Sequence, residues 1–122
     1  MKRRTSLIRI LFIIFIVLAF HQFSTAQKVF EVEYESQADL KIYVVEYESQ
    51  CDLKVFFVEY ESQAKKDGLW YVVKYESQTH YKIFFVEYES QADLKIYFVP
   101  YESQAGWRNL QKQHLLKFKS PS

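Results

Sequence analysis

Cysteine, methionine, glycine and proline are nearly missing from this chain. Of its 122 residues one is Cys, one Met, two are Gly and two Pro. A single Cys excludes a disulfide framework, and two Gly exclude a collagen-like repeat. Zinc-ligand spacing, a glycine-rich phosphate loop and a serine nucleophile elbow are all absent. Neither charge sign dominates: 16 Lys and Arg face 15 Asp and Glu, for a formal net charge of +1. That balance leaves no electrostatic footprint for nucleic acid. No apolar run reaches the roughly 20 residues that a membrane-spanning helix needs. What the chain does have is apolar and aromatic mass. Hydrophobic residues make up 49% and aromatics 19%, including ten Tyr and eleven Phe. Such a chain has enough apolar surface to offset the entropy cost of ordering, so it is not intrinsically disordered. Its length fits one domain.

Residues 1–26 differ from the rest. Lys2, Arg3 and Arg4 precede the 11-residue apolar run Ile10 to Phe20, and the segment ends in Ser24-Thr25-Ala26. A basic start, a short apolar run and small residues one and three positions before a cut read as a secretory signal peptide. The expected cleavage follows Ala26, with an uncleaved anchor as the alternative. Residues 27–122 then form one domain with a net charge of −3. That domain is expected outside the inner membrane, periplasmic or secreted, with no stable membrane insertion.

The remainder is one phrase written six times. The motif occurs as Tyr34-Glu35-Ser36-Gln37, Tyr47-Glu48-Ser49-Gln50, Tyr60-Glu61-Ser62-Gln63, Tyr75-Glu76-Ser77-Gln78, Tyr88-Glu89-Ser90-Gln91 and Tyr101-Glu102-Ser103-Gln104. The steps are 13 residues, except for a middle step of 15 that holds Lys65-Lys66-Asp67-Gly68. The chain therefore reads as three repeats, a polar hinge and three more. Each motif follows a segment such as Lys82-Ile83-Phe84-Phe85-Val86-Glu87. Its β-branched and aromatic content predicts a strand of about six residues. The first half is apolar on both faces and the second half on one, so each strand should run from the core to a wet end. Asp in Ala-Asp-Leu-Lys is expected to close a turn on local backbone, with Leu40, Leu53 and Leu94 tucked under it. Tyr81 and Trp107 take that place in two copies. The fold class is all-β, mainly β with one short C-terminal helix, with six short strand repeats in two triplets.

A sixfold motif asks for a sixfold reason. The structural reading has Ser and Gln satisfying backbone groups where the strand bends, and the Tyr ring packed below with its hydroxyl on a polar partner. The functional alternatives are an acidic ring of the six Glu for a hard cation, without the ligand pattern of a calcium loop, and a Tyr-, Glu- and Gln-bearing binding surface. Intermolecular stacking into fibres is a third class, and Val55-Phe56-Phe57-Val58 is a β-aggregation hazard flanked by Lys54 and Glu59 as gatekeepers. Catalysis has little to build on. Cys51 occupies a slot held by Ala38, Ala64, Thr79, Ala92 and Ala105 in the other copies, as a small buried residue would. His80 and His114 show no spacing that pairs them with it. No catalytic, cofactor-binding or metal residues and no cofactor are assigned, and the expectation is a non-enzymatic monomer with an unknown partner. The tail from Gly106 has apolar residues at 107, 110, 115 and 116, which predicts a short helix capping one end of the core, with Arg108, Lys112, Lys117 and Lys119 in water.

The tandem Tyr-Glu-Ser-Gln-Ala-Asp-Leu-Lys units, ending in Tyr101-Glu-Ser-Gln-Ala-Gly-Trp107 and a basic segment with His114-Leu115, resemble the septoil-knot domain family over about residues 28–118. The resemblance implies a compact β domain whose backbone forms a seven-crossing torus knot, and it brings no catalytic residues. Thr79-His80, Lys65-Lys66, Cys51 and Pro100 depart from the repeat. Pro100 lacks a backbone donor, which predicts an edge strand before it. Interleaved halves would bring residues near Tyr43 against residues near Tyr88 or Tyr97. An entwined core of this kind should unfold slowly and resist proteases.

Overall fold

The computed structural model describes residues 27–117. The leader, its cleavage point, Lys119 and the tail beyond Phe118 lie outside the described residues. Within them the chain forms β1 (Gln27–Glu31), β2 (Leu40–Val44), β3 (Leu53–Phe57), β4 (Leu69–Val72), β5 (Tyr81–Phe85), β6 (Leu94–Phe98) and β7 (Gly106–Trp107). A 3-10 turn of Glu-Ser-Gln follows each of the first six strands. Five of the six repeat strands begin one residue earlier than the repeat suggested, and β4 begins at the expected Leu69. Leu40, Leu53 and Leu94 are not turn residues but the first residues of strands, and at most 4% of each is exposed.

The first six strands close into a parallel barrel in the order β4-β1-β5-β2-β6-β3, with β3 returning to β4. Strands of the first triplet alternate with those of the second. Ile42 pairs with both Phe85 and Leu94, and Tyr43 lies opposite Lys95. The expected interleaving is thus present. β7 adds to β3 in the antiparallel sense. β6 is not an edge strand: it pairs with β2 on one side and β3 on the other. Pro100 stands two residues past its end, where no ladder bond is required of it.

The ladder explains how so short a linker crosses between parallel strands. Such a crossover ordinarily takes a dozen residues or more, yet β1 and β2 are joined by residues 32–39 alone. Glu31, the last residue of β1, pairs with Ile83, and Leu40, the first of β2, pairs with the same Ile83. The chain therefore leaves and re-enters the barrel at one level. It has only to step over β5, a distance of about 10 Å at the usual strand spacing. The same relation holds for Val44 and Leu53 about Ile96, for Phe85 and Leu94 about Ile42, and for Val72 and Tyr81 about Val29. The pivots Val29, Ile42, Ile83 and Ile96 point inward, and none is more than 2% exposed. Each stabilises the barrel by about 1.5–3 kcal/mol through burial alone.

Two cores result. The barrel interior gathers the pivots, Leu40, Leu53, Val55, Trp70, Tyr81 and Leu94, with Leu116 and the partly buried Leu115 and Trp107. The second lies outside β3 and β4, where Val58, Ala64, Leu69, Val99 and Ala105 pack together. The tail differs from the expected helix. Gly106–Trp107 is strand, and the 3-10 helix runs from Leu110 to Leu116, burying Leu116 and leaving Leu110 69% exposed. The Tyr81 hydroxyl donates to the Lys117 carbonyl.

Candidate functional site

The repeated motif is the outer bend of each crossover. Tyr holds extended backbone, with φ of −119° to −131°, before the 3-10 turn. The Gln37 amide donates to the Tyr34 carbonyl at 3.0 Å and the Ala38 amide to that of Glu35 at 3.1 Å, and the other copies repeat this. In two copies the Gln side chain reaches back: Gln37 Oε1 accepts from the Tyr34 amide and Gln63 Oε1 from that of Tyr60. The expected packing of the Tyr rings is overturned. Tyr34, Tyr47, Tyr60, Tyr75, Tyr88 and Tyr101 are 57–67% exposed. The Val two residues earlier fills the space instead, since Val32, Val45, Val58, Val73, Val86 and Val99 are all buried. The chain covers the Val and then turns away, so the next outward ring has nothing above it. The Ser side chains are exposed.

The six Glu do not converge on one point. Glu35, Glu48, Glu76 and Glu89 pair with Lys41, Lys54, Lys82 and Lys95 at 3.3–3.7 Å. In each pair the Lys lies on the strand that the crossover enters. Glu61 pairs with Lys28, from the start of the chain. Among the described residues no group of three or more His, Cys, Asp or Glu is placed to hold a metal ion.

The Asp of the repeat, expected to bond locally, locks distant strands. Asp39 Oδ2 accepts from the Lys82 amide at 2.9 Å, while the Asp39 amide donates to the Lys82 carbonyl at 2.7 Å. Asp52 and Lys95 make the same two bonds, as do Asp93 and Lys41. His80 replaces Asp in the fourth copy and keeps the pattern, its amide donating to the Lys28 carbonyl and its Nδ1 facing the Lys28 amide. Each lock ties the start of one strand to the neighbour just crossed. Sequence spacing alone cannot tell such a bond from a local one. Asp52 has two further roles: its Oδ1 accepts from Asn109 Nδ2, and its carbonyl accepts from the Arg108 and Asn109 amides.

The pattern breaks at one seam. The crossover from β3 passes β4, and its regular landing place beside Trp70 is taken by Gln27 of β1. The chain turns back into β4 instead. Asp67 sits where the lock Asp belongs, but its carboxylate accepts from Gln27 Nε2 and Trp107 Nε1. Gly68 takes the place of the buried Leu, with φ of +94°, and its amide donates to Gln27 Oε1. A Cβ there would lie 2.5 Å from the Lys54 carbonyl oxygen. Leu69 replaces the outward Lys and is buried in the second core.

Two open grooves flank these bends. One of about 720 Å³ lies against the seam, lined by residues that include Lys65, Lys66, Leu69 and Glu102. Another, of about 440 Å³, is lined by Cys51, Asp52, Glu89, Lys95, Arg108 and Asn109 among others. Cys51 is buried, and burial pushes its thiol above the ordinary value, against the pull of nearby Arg108. A thiol held protonated is a poor nucleophile.

No curated protein and no solved structure matches the chain. A family model described as the 7(1) septoil knot domain matches residues 26–108, a span that takes in all six Glu-Ser-Gln bends, the locks and the seam. With that match over most of its length, the chain belongs to the 7(1) septoil knot domain family.

Proposed function

We propose that this chain is an exported, non-enzymatic structural or interaction domain whose asset is slow unfolding. The observation that carries the reading is the alternation of the two triplets around a closed barrel. Every strand of one triplet lies between two strands of the other, so neither triplet can open alone. Each crossover also passes a strand of the other triplet, which supports the knotted backbone that the family description names. Unfolding would then require ladder rupture all round before the chain could be withdrawn, and the barrier, not equilibrium stability, would set the protein's lifetime.

Export is supported by the place where the family match begins. Residue 26 is the expected last residue of the leader. The monomer reading rests on the closed ring, which leaves the six long strands no free edge for fibre growth. The raised thiol of Cys51 supports a reading without catalysis. A second reading, a binding module on the barrel flank, is favoured by the six exposed Tyr rings.

The test has two parts. Mass spectrometry of protein recovered from the producing cells should find a chain that starts at Gln27. Dilution of that protein into a broad-specificity protease at 37 °C (about body temperature) should leave the span 30–105 intact for many hours, with an unfolding rate at the slow end of the domain range. A mass that includes residues 1–26 defeats export by cleavage. Rapid internal cutting defeats kinetic protection.

A further inference from the structure

The two ends of the barrel are finished differently. All six strands are parallel, so their first residues share one end and their last residues the other. At the first end Gln27, Leu40, Leu53, Tyr81 and Leu94 are buried, and Leu115, Leu116 and Trp107 pack against the core there. At the other end the last inward residues are Glu31, Val44, Phe57, Val72, Phe85 and Phe98. Four apolar residues among them remain open to solvent: Val44 is 39% exposed, Phe57 40%, Val72 54% and Phe98 40%. The Phe57 and Phe98 rings lie against each other, 5.3 Å between centroids, and form the middle of a continuous apolar face. No described segment covers it as the tail covers the opposite end.

The surroundings of this mouth are mainly acidic. Glu31 lies in it, and two residues past the strand ends stand the exposed Glu33, Glu46, Glu59 and Glu87. Lys74 and Pro100 fill the two other places, and the Lys74 ammonium lies over the Tyr75 ring, 5.7 Å from its centroid. An apolar floor inside a carboxylate rim has a defined complement. Desolvation favours an apolar side chain at the centre, and the rim attracts cations at its edge. A second copy, mouth to mouth, would bring two carboxylate rims together. An anionic bilayer would meet the same repulsion.

The geometry points to this mouth as a docking surface for a partner protein segment that presents one or two apolar side chains flanked by Lys or Arg. The inference rests on the interaction-domain reading and gives it a surface and a partner chemistry. Rim charges of this kind set encounter rate and choice of partner more than affinity, so binding should fall steeply with salt.

The experiment is fluorescence anisotropy with the protein as recovered from its cells. The probes are a fluorescein-labelled Lys-Leu-Lys-Phe-Lys-Leu-Lys peptide and a version with Glu in place of each Lys. The basic peptide should bind saturably and at least tenfold more tightly than the acidic one. Raising the salt to about 0.5 M, where screening reaches only a few ångströms, should weaken it tenfold or more. The double variant Val44→Lys/Val72→Lys alters two exposed side chains, so it should keep its protease resistance and lose at least tenfold in binding. Glu59→Lys should lose several-fold, and Tyr101→Ser on the barrel flank should change nothing. No binding, equal binding of the two peptides, or full binding by the double variant overturns the proposal. So does a wild-type protein that sediments as a dimer while the double variant is a monomer, or one that binds phosphatidylglycerol vesicles better than the basic peptide. Protease lifetime on the same samples separates the two readings. A resistant chain that ignores the peptide loses the docking surface only, and a digested chain that binds loses only slow unfolding.

Discussion

The four regular crossovers and the seam solve one problem in opposite ways. A regular crossover lands beside the strand it has just passed. It is then fixed by a lock of two backbone-directed bonds and by a Glu–Lys pair. The Asp, the Lys and the Glu of that device recur in the repeating unit, and the lock joins one unit to another 43 or 52 residues away, so one sequence can be copied. At the seam the landing place is occupied, and Asp67 is bonded instead by side chains that the repeat does not supply, Gln27 and Trp107. The difference teaches that repetition covers whatever the symmetry covers, and that unique residues gather where symmetry cannot hold. Among the departures from the repeat, Gly68, Gln27, Leu69 and Trp107 lie together at or beside this seam.

The hardest blow should fall on the seam. Gly68→Ala puts a Cβ against the Lys54 carbonyl and the Gly106 amide at positive φ, and should cost about 3 kcal/mol or prevent folding. Gly106→Ala meets no atom within 4 Å and carries only the backbone strain of φ +147°, so about 1 kcal/mol is expected. Urea midpoints of the two variants check the contrast. Equal losses would mean that the crowding at Gly68 is relieved by movement.

Next come the locks. Asp52→Ala leaves the Lys95 amide and the Asn109 side chain without their acceptor in a buried place, for about 2 kcal/mol. Asp39→Ala opens the same lock where water can replace the carboxylate, and about 1 kcal/mol or less is expected. Equal effects would show that the lock does not depend on its burial.

Tyr81 supplies a pH test of comparable size. Burial, helped by the charge of Asp67, pushes its hydroxyl up to about 12. The folded protein therefore favours the neutral phenol more than the unfolded chain does. The associated stability is whole below pH 10 and is lost as pH rises from 10 to 12, on the order of 2 kcal/mol. Tyr81→Phe loses the bond to the Lys117 carbonyl at neutral pH but should flatten the alkaline limb of the stability curve. Urea titrations at pH 9, 10.5 and 11.5 (roughly spanning that window) provide the measurement.

The smallest effect is expected at the ion pairs. Glu35→Gln breaks an exposed contact with Lys41 and should cost less than about 0.5 kcal/mol. Glu61→Gln should cost a little more, because Lys28 is the less exposed partner and the pair ties the third crossover to the first strand. A loss from Glu35→Gln as large as that from Asp39→Ala would mean that the pairs, not the locks, fix the crossovers.

Much of this fold was legible in the repeat. Alternation marked the first half of each strand as core on both faces, where Val29, Ile42, Ile83 and Ile96 are buried, and the second half as the end that meets water, without telling which face turns inward. The break at Lys65–Gly68 marked the join between the two triplets. The fate of the outward-facing residues was not legible. Val32 and Tyr34 have the same parity along the chain, but one is covered and the other exposed, because cover there depends on which segment crosses above. The role of Asp was hidden for a related reason. The carboxylate that would close a local turn serves equally to hold an amide 43 residues away, and only the register decides between them. Pro100 misled because the strand before it stops two residues short. For the candidate site, the repeated motif was plain, but the apolar mouth needed the closed ring to bring six strand ends together.

Landing two places along a ring has an arithmetic consequence. With six staves, steps of two visit only every other one and return to the start after three, so a uniform repeat would collide with its own beginning. One shift between odd and even tracks is obligatory, and the two additional residues of the middle spacer coincide with it. A ring of five or seven staves would face no such conflict, since steps of two reach every place before repeating. A relative with an odd number of repeats could therefore keep a constant 13-residue spacing throughout, whereas one with an even number must somewhere break it.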